Sequence, residues 1–259
     1  MNQVESQDGF TIPELLVVMV VTSFFVTLIL YFTFNFWTYN YLLEADQDTL
    51  SSRLNAGDII REQLGTSSGM IMQNSVTDAH ANNPDPSDGT GLHWLLIHAI
   101  PGNQTAASGT TKPVGYFRRL STSTTNTVIM NGGQPYEDEY VLYLDGTKKQ
   151  LLFRALDNTS AASNRLKTSC PPAIATAACP ADKVIALDVA SVDTRYFSRT
   201  GNTIDWTSIY DSSTGTYVGP DFTVVDVVEL KLNLSKKPVF QKTNATINNT
   251  TIRVALRNT

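Results

Sequence analysis

No side chain between Glu14 and Glu44 carries a charge, and no Lys or Arg occurs before Arg53. The first absence excludes a solvated surface helix over that stretch, which would need a polar face. The second excludes an ordinary secretory signal, which opens with a basic region and is cut at small residues beyond a short apolar core. Only two Cys and three His are present, too few for a disulfide-rich scaffold, and without a Cys-x-x-Cys pair a zinc site is disfavoured. There is no phosphate-cradling Gly-Lys loop and no internal repeat, so nucleotide-cradling chemistry and a repeat array have no support.

What fills the uncharged stretch is apolar. Leu15 through Trp37 gives 23 uncharged positions, about 35 Å as a helix against a hydrocarbon core of about 30 Å. Tyr31, Trp37, Tyr39 and Tyr41 gather near its far end, as rings at a headgroup level do. Leu42, Leu43, Leu50, Leu54 and Leu64 follow among acids and amides at spacings that fit one apolar stripe, so the helix is expected to continue as an amphipathic stem. Gly65, before Thr66-Ser67-Ser68-Gly69, is the expected stop, and Gly57 a point of weakness.

A body of about 200 residues remains, enough for one core. With 42% hydrophobic and 17% charged residues and much Thr, Ser and Asn, it reads as a strand-rich domain exposed outside the cytoplasm. Strands are predicted at 92–100, 114–120, 127–130, 140–145, 150–155, 184–189, 194–198, 224–234 and 251–256. Asp145-Gly146 marks a hairpin. Loops are marked by Asn83-Pro84-Asp85-Pro86, Asn131-Gly132-Gly133 and the Cys170 to Cys179 segment. In an exported body those two cysteines read as a disulfide, the alternative being two unpaired thiols.

At the amino end, Gly9-Phe10-Thr11-Ile12-Pro13-Glu14 sets one carboxylate at the lip of the apolar run, and Leu15, Leu16 and Val17 continue it. These residues resemble the amino terminus of type IV prepilins and the related pseudopilins of type II secretion and competence systems. In that family a membrane-embedded peptidase cuts after the Gly, methylates the new amino-terminal Phe, and leaves a Glu four residues further on. Gly9, Phe10 and Glu14 match those roles. The resemblance implies a pilin-like α+β fold: leader 1–9, membrane helix 10–37, stem 38–65 and β-rich ectodomain 66–259, with the long helix packed on antiparallel sheet.

The resemblance further implies a non-enzymatic subunit that resides in the lipid bilayer of the cytoplasmic membrane until assembly. Its partners would be the prepilin peptidase, an inner-membrane assembly platform and other pilin subunits, and its destination a pilus or pseudopilus on the cell surface. A carboxylate buried among packed helices is heavily penalised unless paired. The amino group of Phe10 on a neighbouring subunit would neutralise Glu14 and set axial register. Met1 to Gly9 holds only Glu5 and Asp8, so the cytoplasmic placement of the leader rests on the resemblance rather than on basic residues. The closing stretch from Val224, with a turn near Pro238 and the end Arg253-Val254-Ala255-Leu256-Arg257-Asn258, looks like minor pilins of the J or W kind, which implies a priming or tip role. The rival expectation is a single-pass anchored binding domain that never polymerises.

Other signals are weaker. No cofactor is expected. Gly65-Thr66-Ser67-Ser68-Gly69 fits a nucleophile-elbow pattern formally, but a helix precedes it where a strand is required. His93 and His98 fall on opposite faces of a strand-like run, and His80 sits in a polar loop. Asp78, Asn83, Asp85 and Asp88 form an oxygen-rich loop whose spacing matches no complete calcium loop, so no metal is assigned. Asn103, Asn158, Asn233, Asn244, Asn248 and Asn249 open Asn-x-Ser/Thr triplets, which chance explains in so Asn- and Thr-rich a chain. Lys231, Lys236, Lys237, Lys242, Arg253 and Arg257 make the tail basic, yet they alternate with apolar residues as on solvated strands, so DNA is conceivable there but unsupported.

Overall fold

The computed structural model of the chain describes residues 11–71, 76, 78, 104–106, 111–204, 210–211, 216–217, 225–236 and 246–256. One helix, α1, runs from Ile12 to Gly65 without interruption. Gly57 is accommodated inside it and does not end it. The helix closes as expected at Gly65, where the Ser67 N–H donates to the Leu64 carbonyl at 3.0 Å.

Beyond α1 the described body is built of strands: β1 (Gly69–Ile71), β2 (Gln104–Ala106), β3 (Thr111–Leu120), β4 (Met130–Asn131), β5 (Gln134–Pro135), β6 (Glu137–Asp145) and β7 (Gln150–Leu156). These are followed by β8 (Lys183–Ala186), β9 (Val189–Ser198), β10 (Thr203–Ile204), β11 (Tyr210–Asp211), β12 (Thr216–Tyr217), β13 (Val225–Lys236) and β14 (Thr246–Ala255). They form two main sheets, β1-β3-β6-β7-β8 and β10-β9-β13-β14 with β2 also on β9. Every paired strand is antiparallel. The α+β layout, one long apolar helix against antiparallel sheets, is therefore present.

Two turns explain themselves. Gly132 and Gly133 both take positive φ, 56° and 96°, the mirror-image turn that matches strand twist, and they join β4 to β5. Between β6 and β7 the turn is longer than Asp145-Gly146 suggests: the Asp145 carboxylate accepts from the Thr147 and Lys148 N–H groups at 3.1 and 3.0 Å, and Lys149 takes the positive φ.

The run 184–189, read as one strand, is two. The chain leaves the first sheet after Ala186, turns through Asp188 at φ 57° and enters the second at Val189. The stem holds this crossover: Ser52 Oγ accepts from the Leu187 N–H at 3.2 Å, and Lys236 pairs with Asp48.

The stem stripe also differs from expectation. The buried face of α1 is Ala45, Thr49, Ala56, Gly57, Ile60 and Leu64, set against β14, β13 and β8. Leu43, Leu50 and Leu54 are exposed; at roughly 100° per residue they flank the buried face, centred about 100° around the helix from it. That face mixes the small Ala45, Ala56 and Gly57 with the buried Ile60 and Leu64, and Val254 of β14 lies 4.0 Å from where a Cβ on Gly65 would sit.

Cys170 and Cys179 form a disulfide, with Cα atoms 5.6 Å apart. Closing so short a loop stabilises by roughly 2 to 3 kcal/mol in the chain-entropy account. The backbone reinforces it, Cys170 N–H to Pro180 O and Asp182 N–H to Cys170 O, both at 2.8 Å. The closure therefore places Asp182, which the core uses.

Candidate functional site

Among the described residues, no side chain in the amino-terminal half of α1, from Ile12 to Trp37, is buried. Leaving so many large apolar groups in water forgoes about 1.5 to 3 kcal/mol each, on the order of tens of kcal/mol together. The helix is long and apolar enough to cross a membrane. Five of its polar side chains bond back to the helix itself. Ser23 donates to Val20 O, Thr27 to Ser23 O, Thr33 to Ile29 O, Asn35 to Tyr31 O and Thr38 to Phe34 O, all between 2.7 and 3.0 Å. Such internal bonds are what a segment facing hydrocarbon needs.

At the tip of this segment sits Glu14. Thr11 is the N-cap, Pro13 occupies the first turn where a missing N–H costs nothing, and the acid complements the helix dipole. The Thr11 N–H donates to Glu14 Oε2 at 2.9 Å and the Thr11 hydroxyl to the same oxygen at 2.8 Å. The carboxylate is exposed, with its second oxygen outside these two bonds. Gly9 and Phe10 lie outside the described residues.

A second polar constellation, which sequence reasoning missed, lies in the core. Arg154 on β7 is fully buried. Its Nη1 donates to Asp78 Oδ2 at 2.9 Å, its Nη2 to Asp182 Oδ2 at 2.8 Å, and its Nε bridges both Asp182 oxygens at 3.2 and 3.1 Å. Asp182 also accepts from the Tyr143 and Ser169 hydroxyls, each at 2.7 Å. Burial alone would pull the guanidinium's pKa down, but the Asp182 hydrogen bonds and the charges of Asp78 and Asp182 hold it above its ordinary value. Burial raises the Tyr143 phenol too, so it stays protonated as a donor.

This network corrects the reading of Asp78 as part of a hydrated oxygen-rich loop: its carboxylate is committed to a core arginine. Asn83, Asp85, Asp88, His80, His93 and His98 lie outside the described residues. Among the described residues no group of Asp, Glu, His and Cys is placed to hold a metal. Ser67, the centre of the formal elbow pattern, is buried and its hydroxyl donates to the Gln63 carbonyl at 3.3 Å.

Two of the tail cations fall as alternation predicts, but Lys236 does not: it shares the strand face of Val228, Leu230, Leu232 and Leu234 and pairs with Asp48 of the stem. Lys231 and Arg253 lie on the exposed faces of β13 and β14, and Arg253 lies 4.6 Å over the Phe197 ring. Comparison with protein-family models and with curated proteins finds no match.

Proposed function

We propose that this chain is a filament subunit of the type IV pilin or pseudopilin kind, cut after Gly9, methylated on Phe10 and assembled through α1. The observation that carries the reading is an exposed apolar half-helix with a single exposed carboxylate at its tip. Outside lipid, only packing among copies of such helices removes that surface from water. The outward stripe of Leu43, Leu50 and Leu54 extends the same apolar surface along the stem. Helix packing can thus continue alongside the ectodomain.

In this reading the chain waits in the cytoplasmic membrane with the β domain outside, then enters a pilus or pseudopilus in a priming or tip role. Proteolysis creates a free amine on Phe10, and that amine meets Glu14 of the adjoining subunit.

A second reading has a specific observation in its favour. Thr11 already gives Glu14 two hydrogen bonds, so the acid serves as a capping residue with no partner chain required. The protein would then be a membrane-anchored binding domain. Mass measurement of the amino terminus, on protein isolated from cells with active prepilin peptidase, separates the two. Loss of Met1 to Gly9 plus one methyl group is the expected result; an intact leader supports the anchor.

A further inference from the structure

Beside the top of the stem a cleft of about 450 Å³ opens between Gln63, β6, β7 and the segment leading into β8. Arg119, Arg165, Lys167 and Lys183 all line it, and no Asp or Glu does. An adjoining recess of about 390 Å³ shares Arg119, Tyr140 and Arg165 and adds one acid, Asp138. That acid is buried and already accepts from Asn158 N and Asn164 Nδ2 at 3.1 and 2.6 Å.

Four cations thus share one concavity in a chain whose net charge is −5. Among the described residues none of them is in an ion pair. Their partners are neutral: Arg119 Nη2 donates to Gln63 O at 2.6 Å, Lys167 to Ala177 O at 3.4 Å, and Arg165 to Asn126. The buried Nε of Arg119 has no acceptor. Like charges gathered without a counter-ion repel, and a concave wall of one sign concentrates oppositely charged ligands.

The floor narrows the choice of anion. Tyr140 and Phe153 stack with centroids 5.1 Å apart and are almost wholly buried, and the Arg119 guanidinium covers Tyr140 at 4.6 Å. Among the described residues that line the cleft, no aromatic face is free to stack a nucleobase, the interaction on which single-stranded nucleic-acid grooves depend. A small apolar floor with a cationic rim, within the roughly 300 to 1,000 Å³ of ligand sites, suits sugar rings bearing carboxylate or phosphate groups. Arginine forks recognise both anions.

We propose that this cleft binds an anionic glycopolymer through Arg119, Arg165, Lys167 and Lys183. The site is independent of whether α1 assembles into a filament.

The test uses the full chain in detergent micelles against four immobilised polymers: polygalacturonate, dextran phosphate, neutral dextran and single-stranded oligothymidylate. Binding to at least one of the first two and not to dextran is expected, weakening as ionic strength rises from about 0.05 to about 0.5 M. Which of the two binds identifies the anion as carboxylate or phosphate. The triple variant Arg165→Glu, Lys167→Glu, Lys183→Glu should bind at least about tenfold more weakly with an unchanged melting temperature. A control of equal net charge, Lys148→Glu, Arg199→Glu, Lys231→Glu, should bind as the parent does. Failure to bind either acidic polymer, tighter binding to oligothymidylate, or equal weakening in the control overturns the proposal.

Discussion

Arg154→Met should destabilise the full chain by about 3 to 5 kcal/mol, because it leaves Asp78 and Asp182 as buried carboxylates with no cation between them. A domain of this size has about 5 to 15 kcal/mol in total, so the loss reaches a large part of the fold. The melting temperature of the β-sheet signal in detergent should fall by roughly 6 to 20 °C. The cause is the stranded charge rather than the lost volume, since Met fills much of the same space. Converting both acids as well, in Arg154→Met, Asp78→Asn, Asp182→Asn, should therefore recover more than half of the loss. A single-variant cost under about 1 kcal/mol, the range of surface pairs, would show that the network does not anchor the core.

That network shows where sequence reading stops. Asp78 and Arg154 are 76 residues apart, and Arg154 and Asp182 are 28 apart; nothing local marks them as partners. The usable signal was an arginine inside the apolar run Leu151-Leu152-Phe153-Arg154-Ala155, a charge where a two-sided strand has no room for one. The long helix was legible because charge absence and periodicity act over dozens of residues. Its packing face was not. Leucines dominate any hydrophobic count, yet the face that packs on the sheets is Ala45, Thr49, Ala56, Gly57, Ile60 and Leu64, while Leu43, Leu50 and Leu54 are exposed.

The sheet switch at Asp188 was hidden for a related reason. Val184 to Val189 is uniformly strand-like except for one residue, and that residue takes positive φ without being Gly. The glycines at 132 and 133 were legible as a loop, but the short β4–β5 hairpin they close was not read from the sequence. At the amino terminus the spacing from Gly9 to Glu14 was plain in the sequence. The double hydrogen bond from Thr11 to Glu14 was not foreseen, and it gives the acid a local role beside the proposed intersubunit one.

Glu14→Gln separates those two roles. The amide oxygen still accepts from the Thr11 N–H, so the helix start should be kept and the leader should still be removed. The negative charge is gone, and a buried Phe10 ammonium would lose its counter-ion at a cost of about 3 to 5 kcal/mol, more than about a hundredfold in an association equilibrium. Membrane levels and amino-terminal processing should match the parent while incorporation into sheared filaments falls to a trace. If Glu14 is only a cap, the variant should behave as the parent in every assay.

A high-resolution map of the native polymer reaches the charge pairing most directly. The account predicts the Glu14 carboxylate within about 4 Å of the Phe10 amine of an adjacent subunit, the span of an ion pair, inside a core of packed α1 helices. A carboxylate that faces solvent, or that meets no cation, would contradict it.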